Sequence, residues 1–144
     1  MSNDRIFTTE STEDTEKGMT LSHGGALSER VIGLAIDVHR QLGPGLLESA
    51  YEECLCFELL QSGIRHERQV AQPILYKGTR LDCGYRMDVV AERELIIEVK
   101  SVERFMPIHD AQVLTYLRLS GMKIGLLINF NTIMLKDGIR RLVM

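Results

Sequence analysis

The sequence lacks tryptophan, is poor in aromatic residues and has few cysteines. Its 144 residues include four tyrosines, four phenylalanines and three cysteines. Since proteins that bind single-stranded nucleic acid stack bases on aromatic side chains, a surface built mainly on such stacking is not expected here. An odd number of cysteines without a C-x-x-C pair disfavours a disulfide framework and a structural zinc site. We expect Cys54, Cys56 and Cys83 to be free thiols that pack as small hydrophobic groups.

Long apolar segments are also missing. The longest runs, such as Ile124–Ile128, are far shorter than the ~20 residues that a transmembrane helix needs. Residues 1–16 carry five acids and no apolar core, which is unlike a signal peptide. We therefore expect a cytoplasmic protein without a membrane-spanning segment.

Neither sign of charge dominates the main part of the chain. The formal net charge of −3 is confined to the first 26 residues, and the other 118 residues carry fifteen charges of each sign. The first 26 residues are also rich in small polar residues and show no periodicity. We therefore predict a flexible acidic tail over residues 1–26 and a single domain over residues 27–144. A domain without excess positive charge is not expected to hold nucleic acid by bulk electrostatics, so an anionic substrate would need a local patch or a metal ion.

The hydrophobic pattern predicts elements in the order α α β β β α β, followed by a short β-rich end. The predicted helices span 28–42, 46–61 and 107–119, and the predicted strands span 65–76, 85–91, 95–102, 124–129, 132–136 and 139–143. Ser28 is the expected N-cap of the first helix. Asp137-Gly138 is a turn signal, so the last two strands are expected to form a hairpin. The strand–helix–strand order around the third helix predicts a parallel pair with a right-handed crossover.

Three charged side chains are expected to meet on one face of the central strand pair. Glu98 and Lys100 are two residues apart in one strand and so share a face. A three-residue loop over 92–94 places Asp88 opposite Glu98 on that face, whereas a two-residue loop would place Asp88 opposite Ile97 on the other face. Two opposed carboxylates repel each other unless a divalent cation lies between them. The register therefore decides between a metal site and an ordinary exposed ion pair of Glu98 with Lys100.

The helices carry further candidates. Glu48 lies in the first turn of the second helix, where it either completes a metal site or only favours the helix dipole. Gln112 and Tyr116 are four residues apart on one face of the third helix. They either orient Lys100 or a phosphate group, or form an ordinary polar seam. His39 should face inward, and a hydrogen-bonded core histidine is the favoured interpretation over a ligand.

Several of these residues lie in motifs that resemble those of a known protein family. Residues 45–51 read GLLESAY and match the pattern that names the GxxExxY protein family, which is placed in the PD-(D/E)XK nuclease-like superfamily. Other matching segments are DVHR at 37–40, LGPG at 42–45, RMD at 86–88, EVK at 98–100 and GLLINF at 125–130. The resemblance covers residues 27–142 and none of the tail. It implies an α/β, restriction-endonuclease-like fold with an αβββαβ core, whose mixed central sheet is flanked by helices. To this core the sequence adds an N-terminal helix and a C-terminal β-hairpin.

The resemblance also implies roles for the candidate residues. Asp88, Glu98 and Lys100 would be the superfamily signature, and Glu48 the acid carried by a helix. Gln112 and Tyr116 look like the Q-x-x-x-Y element of one branch of the superfamily. The sequence departs from the pattern at Arg86-Met87, where a proline is expected before the first acid, but this change removes no ligand.

The activity implied is hydrolysis of phosphodiester bonds in nucleic acid. Asp88, Glu98 and Glu48 would hold Mg²⁺ or Mn²⁺, and Lys100 would orient the attacking water or offset developing charge, with Gln112 and Tyr116 positioning it. The neutral domain and the few aromatic residues count against an active nuclease, so the alternative is a catalytically silent binding or regulatory module that acts in an oligomer or with a larger partner. A third interpretation, a purely structural scaffold, predicts that Asp88 and Glu98 are exposed and apart. Self-association is also expected, through the strand edge near residues 132–143.

Overall fold

A computed structural model describes residues 8–10 and 23–144 of the chain, and the structural statements below concern these residues. The first four strands along the chain are β1 (Thr8–Glu10), β2 (His66–Ala71), β3 (Ile74–Tyr76) and β4 (Thr79–Leu81). The remaining strands are β5 (Arg86–Ala91), β6 (Leu95–Lys100), β7 (Ile124–Asn129) and β8 (Ile139–Val143). The helices are α1 (His23–Leu42), α2 (Glu48–Gln61) and α3 (Pro107–Ser120), with a short 3-10 helix over Leu135–Gly138.

A six-stranded mixed sheet with the strand order β1-β8-β7-β6-β5-β2 forms the centre of the protein. Strands β6 and β7 are parallel and joined through α3, and the other neighbouring strands are antiparallel. The elements α2, β2, β5, β6, α3 and β7 make the αβββαβ core, and α1 is the additional N-terminal helix. The predicted α/β fold with a helix-flanked mixed sheet is therefore confirmed. None of the helices in the described ranges is long and apolar enough to cross a membrane.

Hydrophobic residues on both faces of the sheet explain why helices cover it on both sides. One buried cluster joins α1 and α2 to alternate residues of β6, namely Leu95, Ile97 and Val99, as the two-residue period of a strand requires. Ile96 points to the opposite face and packs in a second cluster with α3. Side chains of α3 pack closely on Gly125 of β7, where an added Cβ would lie 2.6 Å from Cγ1 of Val113.

Helix α1 begins earlier than the sequence predicts. The expected N-cap, Ser28, lies inside a helix that starts at His23. Its hydroxyl donates a hydrogen bond to the carbonyl oxygen of Gly25 at 3.0 Å and accepts one from Nε of Arg141 at 3.2 Å. A serine that bonds to the preceding turn is tolerated inside a helix, so the prediction that it caps the helix is wrong. Residues 1–7 and 11–22 of the predicted tail lie outside the described residues, and the tail stays a prediction.

The C-terminal region pairs differently from the predicted hairpin. Residues 132–136 do not form a strand, and the antiparallel partner of β8 is β7, with Ile128 opposite Ile139. The carbonyl oxygen of Thr132 lies 2.8 Å from Nε2 of His39, and Leu135 is buried in the core beside α1. Because these contacts hold the segment against the helices, β8 pairs with the buried strand instead. The other edge of β8, expected to be open for self-association, is covered by β1.

Candidate metal and catalytic site

The candidate site lies where β5 and β6 separate. The loop between the two strands has three residues, 92–94, and the paired positions include Val90 opposite Ile96. This confirms the register on which the metal prediction depends. The ladder ends at the pair Val89 and Ile97, one position before Asp88 and Glu98 would face each other.

Where the backbone pairing of β5 and β6 ends, the two carboxylates take the place of carbonyl oxygens as hydrogen-bond acceptors. The backbone N–H of Asp88 donates to Oε2 of Glu98 at 2.8 Å, and the backbone N–H of Val99 donates to Oδ2 of Asp88 at 2.9 Å. Each side chain thus satisfies a backbone donor on the opposite strand. The side chains of Met87 and Val90, an odd number of positions apart, both pack on the α3 side, so the regular alternation of β5 breaks around Asp88. The break lies at the position where the two acids meet.

Burial gives the acid pair unusual proton affinity. Glu98 is only 2% exposed. Burial, and then the nearby charge of Asp88, raise the pKa of Glu98 to about 8, while the Lys100 ammonium and the N–H of Asp88 act in the opposite direction. Burial also raises the pKa of Asp88, and the charge of Glu52 adds to this effect. When no cation is present, the carboxylate pair therefore holds a proton more tightly than a free Asp or Glu side chain does.

The chemistry of these donors fits a hard divalent cation. Each carboxylate accepts a hydrogen bond from a backbone N–H through one oxygen. The other oxygens, Oε1 of Glu98 and Oδ1 of Asp88, keep lone pairs for a metal ion, although Nε2 of Gln69 also lies 3.5 Å from Oδ1. Mg²⁺ is commonly held by one or two carboxylates together with waters and phosphate oxygens, and a cation would also relieve the repulsion described above. No group of three His, Cys, Asp or Glu side chains within residues 8–10 and 23–144 is arranged to hold a metal by itself. The pair would thus need water or phosphate to complete the coordination.

Lys100 begins a chain of side chains that leads back to β5. Its Nζ donates to Oε1 of Gln112 at 3.3 Å, and Nε2 of Gln112 donates to the hydroxyl of Tyr116 at 3.4 Å. The Tyr116 hydroxyl donates to the carbonyl oxygen of Arg86 at 3.1 Å. The structure therefore brings the three predicted residues together, and it connects them to the backbone two residues before Asp88.

The two acids at the start of α2 have different surroundings. Glu48 is exposed, and its Oε2 accepts a hydrogen bond from the backbone N–H of Ser101 at 3.2 Å. Glu48 therefore contacts the residue after Lys100, and within the described residues it does not complete a three-acid metal-binding group with Asp88 and Glu98. Glu52, one turn later, is only 7% exposed and is the acid whose charge acts on both Asp88 and Glu98.

Sequence reasoning missed Glu52 and its partners on β2. Nε of Arg68 donates to Oε2 of Glu52 at 3.1 Å, and Nε2 of Gln69 lies 3.1 and 3.2 Å from its two oxygens. The available signal was the four-residue spacing of Glu48 and Glu52, which puts both on one side of a helix. No sequence pattern indicates that β2 would deliver Arg68 and Gln69 to that side chain.

The histidines His39 and His109 make structural hydrogen bonds with backbone groups. His39 is buried and bonded to the backbone at Thr132, as the favoured interpretation predicts. His109 accepts a hydrogen bond from the N–H of Met106 through Nδ1 at 2.9 Å and so closes the first turn of α3. The three cysteines are free, and Cys83 is exposed rather than packed.

A comparison with protein families matches residues 25–142 to the PD-(D/E)XK nuclease superfamily. The chain belongs to this superfamily. The match spans the whole core and both acids, whereas the narrower resemblance to the GxxExxY family stays a prediction. No curated protein and no solved structure matches the chain significantly. Membership in the superfamily agrees with the position of Asp88, Glu98 and Lys100 on two adjacent strands.

Proposed function

We propose that the protein hydrolyses phosphodiester bonds in nucleic acid with the help of Mg²⁺ or Mn²⁺. The observation that carries this proposal is the Asp88–Glu98 pair, in which two carboxylates are bonded to each other's strands beside the Lys100 amine. A purely structural scaffold does not account for two partly desolvated acids kept together, because their burial and mutual repulsion oppose folding. The arrangement is explained if the pair serves to hold a cation.

The four charged residues at the site have different roles in this proposal. Asp88 and Glu98 would hold the cation, and Glu48, bonded to the backbone beside Lys100, would contribute through water. When bound, Mg²⁺ or Mn²⁺ polarises a phosphoryl oxygen and lowers the pKa of water. Lys100 would orient the attacking water or offset the charge that develops on the phosphate.

Gln112 and Tyr116 would act on Lys100 without touching the substrate. The hydrogen bond from Lys100 to Gln112 restricts where the amine points. Tyr116 fixes Gln112 in turn and is itself fixed to the backbone of Arg86. Side chains locked by packing and by further hydrogen bonds hold a catalytic amine more accurately than solvent can.

A binding or regulatory module is the second candidate. Two observations favour it: no three His, Cys, Asp or Glu side chains within the described ranges are arranged to hold a metal ion, and residues 27–144 carry no net positive charge. Such a module would keep the fold and the acid pair without turnover. It should therefore tolerate Asp88→Asn without losing its partner.

Cleavage assays on labelled single-stranded and double-stranded DNA and RNA, with Mg²⁺, Mn²⁺ or EDTA, test the proposal. We expect metal-dependent cleavage of at least one substrate that is lost in Asp88→Ala and in Lys100→Ala. Matched controls are Asp37→Ala, an exposed acid on α1, and Lys123→Ala, an exposed amine before β7, which should keep full activity. Equal cleavage by all four variants would show that a contaminant is responsible.

Calorimetry separates the two candidates if no cleavage is found. Binding of Mn²⁺ that disappears in Asp88→Ala supports a cation site. No binding at millimolar Mn²⁺, together with no cleavage, favours the binding module.

A further inference from the structure

Gln69 has a backbone conformation that its position in the fold does not require. Four residues other than glycine have positive φ in the described part of the chain, and Lys77, Glu92 and Arg93 all lie in turns. Gln69, with φ of 50°, lies inside β2, between the paired positions Arg68–Val89 and Val70–Met87. A side chain makes this left-handed conformation unfavourable, and glycine adopts it readily. Strain of this kind persists where the surroundings enforce it, and it is enriched at functional sites.

The unusual backbone accompanies an unusual position of the side chain. Counting along the two strands puts Gln69 directly opposite Asp88. The amide nitrogen, Nε2, lies 3.1 and 3.2 Å from the two oxygens of Glu52 and 3.5 Å from Oδ1 of Asp88. A primary amide has two N–H donors, so one group faces carboxylates on two different elements.

We propose that Gln69 is a positioning residue for the metal-binding carboxylates. Its amide presents N–H groups between Glu52 and Asp88, two acids that would otherwise repel each other. With Val99 bound to Oδ2 and Gln69 facing Oδ1, both oxygens of Asp88 have a defined direction. Nε of Arg68 also donates to Oε2 of Glu52, so the carboxylate that the amide meets is held in place.

This inference rests on the proposed function, because the Asp88 carboxylate is positioned for a cation. The outer partners of metal-binding carboxylates orient them, and replacing such partners weakens metal affinity. Gln69 and Glu52 thus act together to orient the Asp88 carboxylate, and the strained backbone of β2 is explained by this role.

The test compares Mn²⁺ affinity and thermal stability in four proteins: wild type, Gln69→Gly, Gln69→Met and Lys77→Gly. Gln69→Gly removes both the amide and the strain, whereas Gln69→Met removes the amide and keeps a side chain of similar length. Lys77→Gly is the matched control, since Lys77 has the same φ of 50° in an exposed turn.

We expect Mn²⁺ to bind Gln69→Gly and Gln69→Met about tenfold to a hundredfold more weakly than wild type, as for other outer partners of metal ligands. The melting temperature of Gln69→Gly should not fall, and Lys77→Gly should bind Mn²⁺ as wild type does. Weaker binding without lower stability is not expected of a residue that only holds the strand.

Two other outcomes would overturn different proposals. Wild-type affinity in both Gln69 variants would overturn the inference and leave the proposed function intact. Failure of wild-type protein to bind Mn²⁺ would overturn the proposed function and this inference with it.

Discussion

The strand pair β5–β6 has two unlike ends. At the end next to the loop, Val89, Ala91, Leu95 and Ile97 are fully buried and regularly paired. At the other end the pairing stops, and Asp88, Glu98 and Lys100 follow within three positions. The first end contributes hydrophobic stability, and the second holds acids whose burial costs free energy. The difference shows how a small domain can keep a costly site: the same strands that carry it are anchored in the core.

The largest effect on stability is expected from a substitution that disrupts packing at the apolar end. Ile97→Ala should lower the free energy of unfolding by about 2–5 kcal/mol, because the substitution leaves a cavity in a fully buried position. Urea denaturation measures this loss. Ile133→Ala is the control, since Ile133 is 84% exposed and its loss should change stability by less than about 0.5 kcal/mol. If both variants lost similar amounts of unfolding free energy, the apolar end would not be the part of the strand pair that provides stability.

At the polar end, stability should depend on pH through Glu98. The folded protein keeps the Glu98 proton up to about pH 8, whereas the unfolded chain releases it near the ordinary pKa of 4.5. The folded state therefore binds more protons between these values, and its stability falls as the pH rises, by at most about 1.4 kcal/mol per pH unit from this group.

Glu98→Gln should remove this part of the pH dependence and gain stability relative to wild type at pH 8. Denaturation at a series of pH values measures both effects. Glu103→Gln, at an exposed position, is the control. A slope that is unchanged in Glu98→Gln would show that the burial of this acid does not govern its titration.

The proton on Glu98 should also make cation binding at the polar end depend on pH. Because a cation must displace the proton from Glu98, the apparent Mn²⁺ affinity should increase by up to about tenfold per pH unit from pH 5 toward 8. Calorimetry in buffers of different ionisation enthalpy measures the affinity and the proton released. An affinity that does not change with pH would contradict this role of Glu98.

The smallest effect is expected from the hydrogen-bond chain behind Lys100. Tyr116→Phe removes the bond to the Arg86 carbonyl and should cost about 1 kcal/mol of stability. It should reduce cleavage only partly, because Gln112 still accepts the bond from Lys100. Tyr76→Phe, in an exposed position on β3, is the control. Complete loss of cleavage would mean that Tyr116 acts more directly than proposed.

The sequence was informative where local chemistry decides the structure. The three-residue loop and the two-residue period of strands gave the register of β5 and β6, and from it the meeting of Asp88 and Glu98. Alternation alone could not show that the ladder ends there, because this depends on side chains that bond to the opposite backbone. The family pattern drew attention to Glu48, which bonds to the backbone of Ser101, whereas Glu52 is the acid whose charge acts on the pair.

Errors arose where distant contacts outweigh local preference. Ser28 is a good N-cap residue, yet its bonds to Gly25 and Arg141 place it inside α1. Asp137-Gly138 is a good turn, yet β8 pairs with β7 and not with residues 132–136. Neither the left-handed backbone of Gln69 nor its approach to Glu52 could be predicted, because glutamine does not favour that conformation.

The close approach at Gly125 connects packing to the site. Val113 presses against the bare α-carbon of this glycine, and Gln112 is the residue just before it on α3. An added methyl group at position 125 would lie 2.6 Å from Cγ1 of Val113, so the valine or the strand would have to shift. The glycine therefore lets β7 and α3 lie close together, beside the residue whose oxygen accepts the hydrogen bond from Lys100.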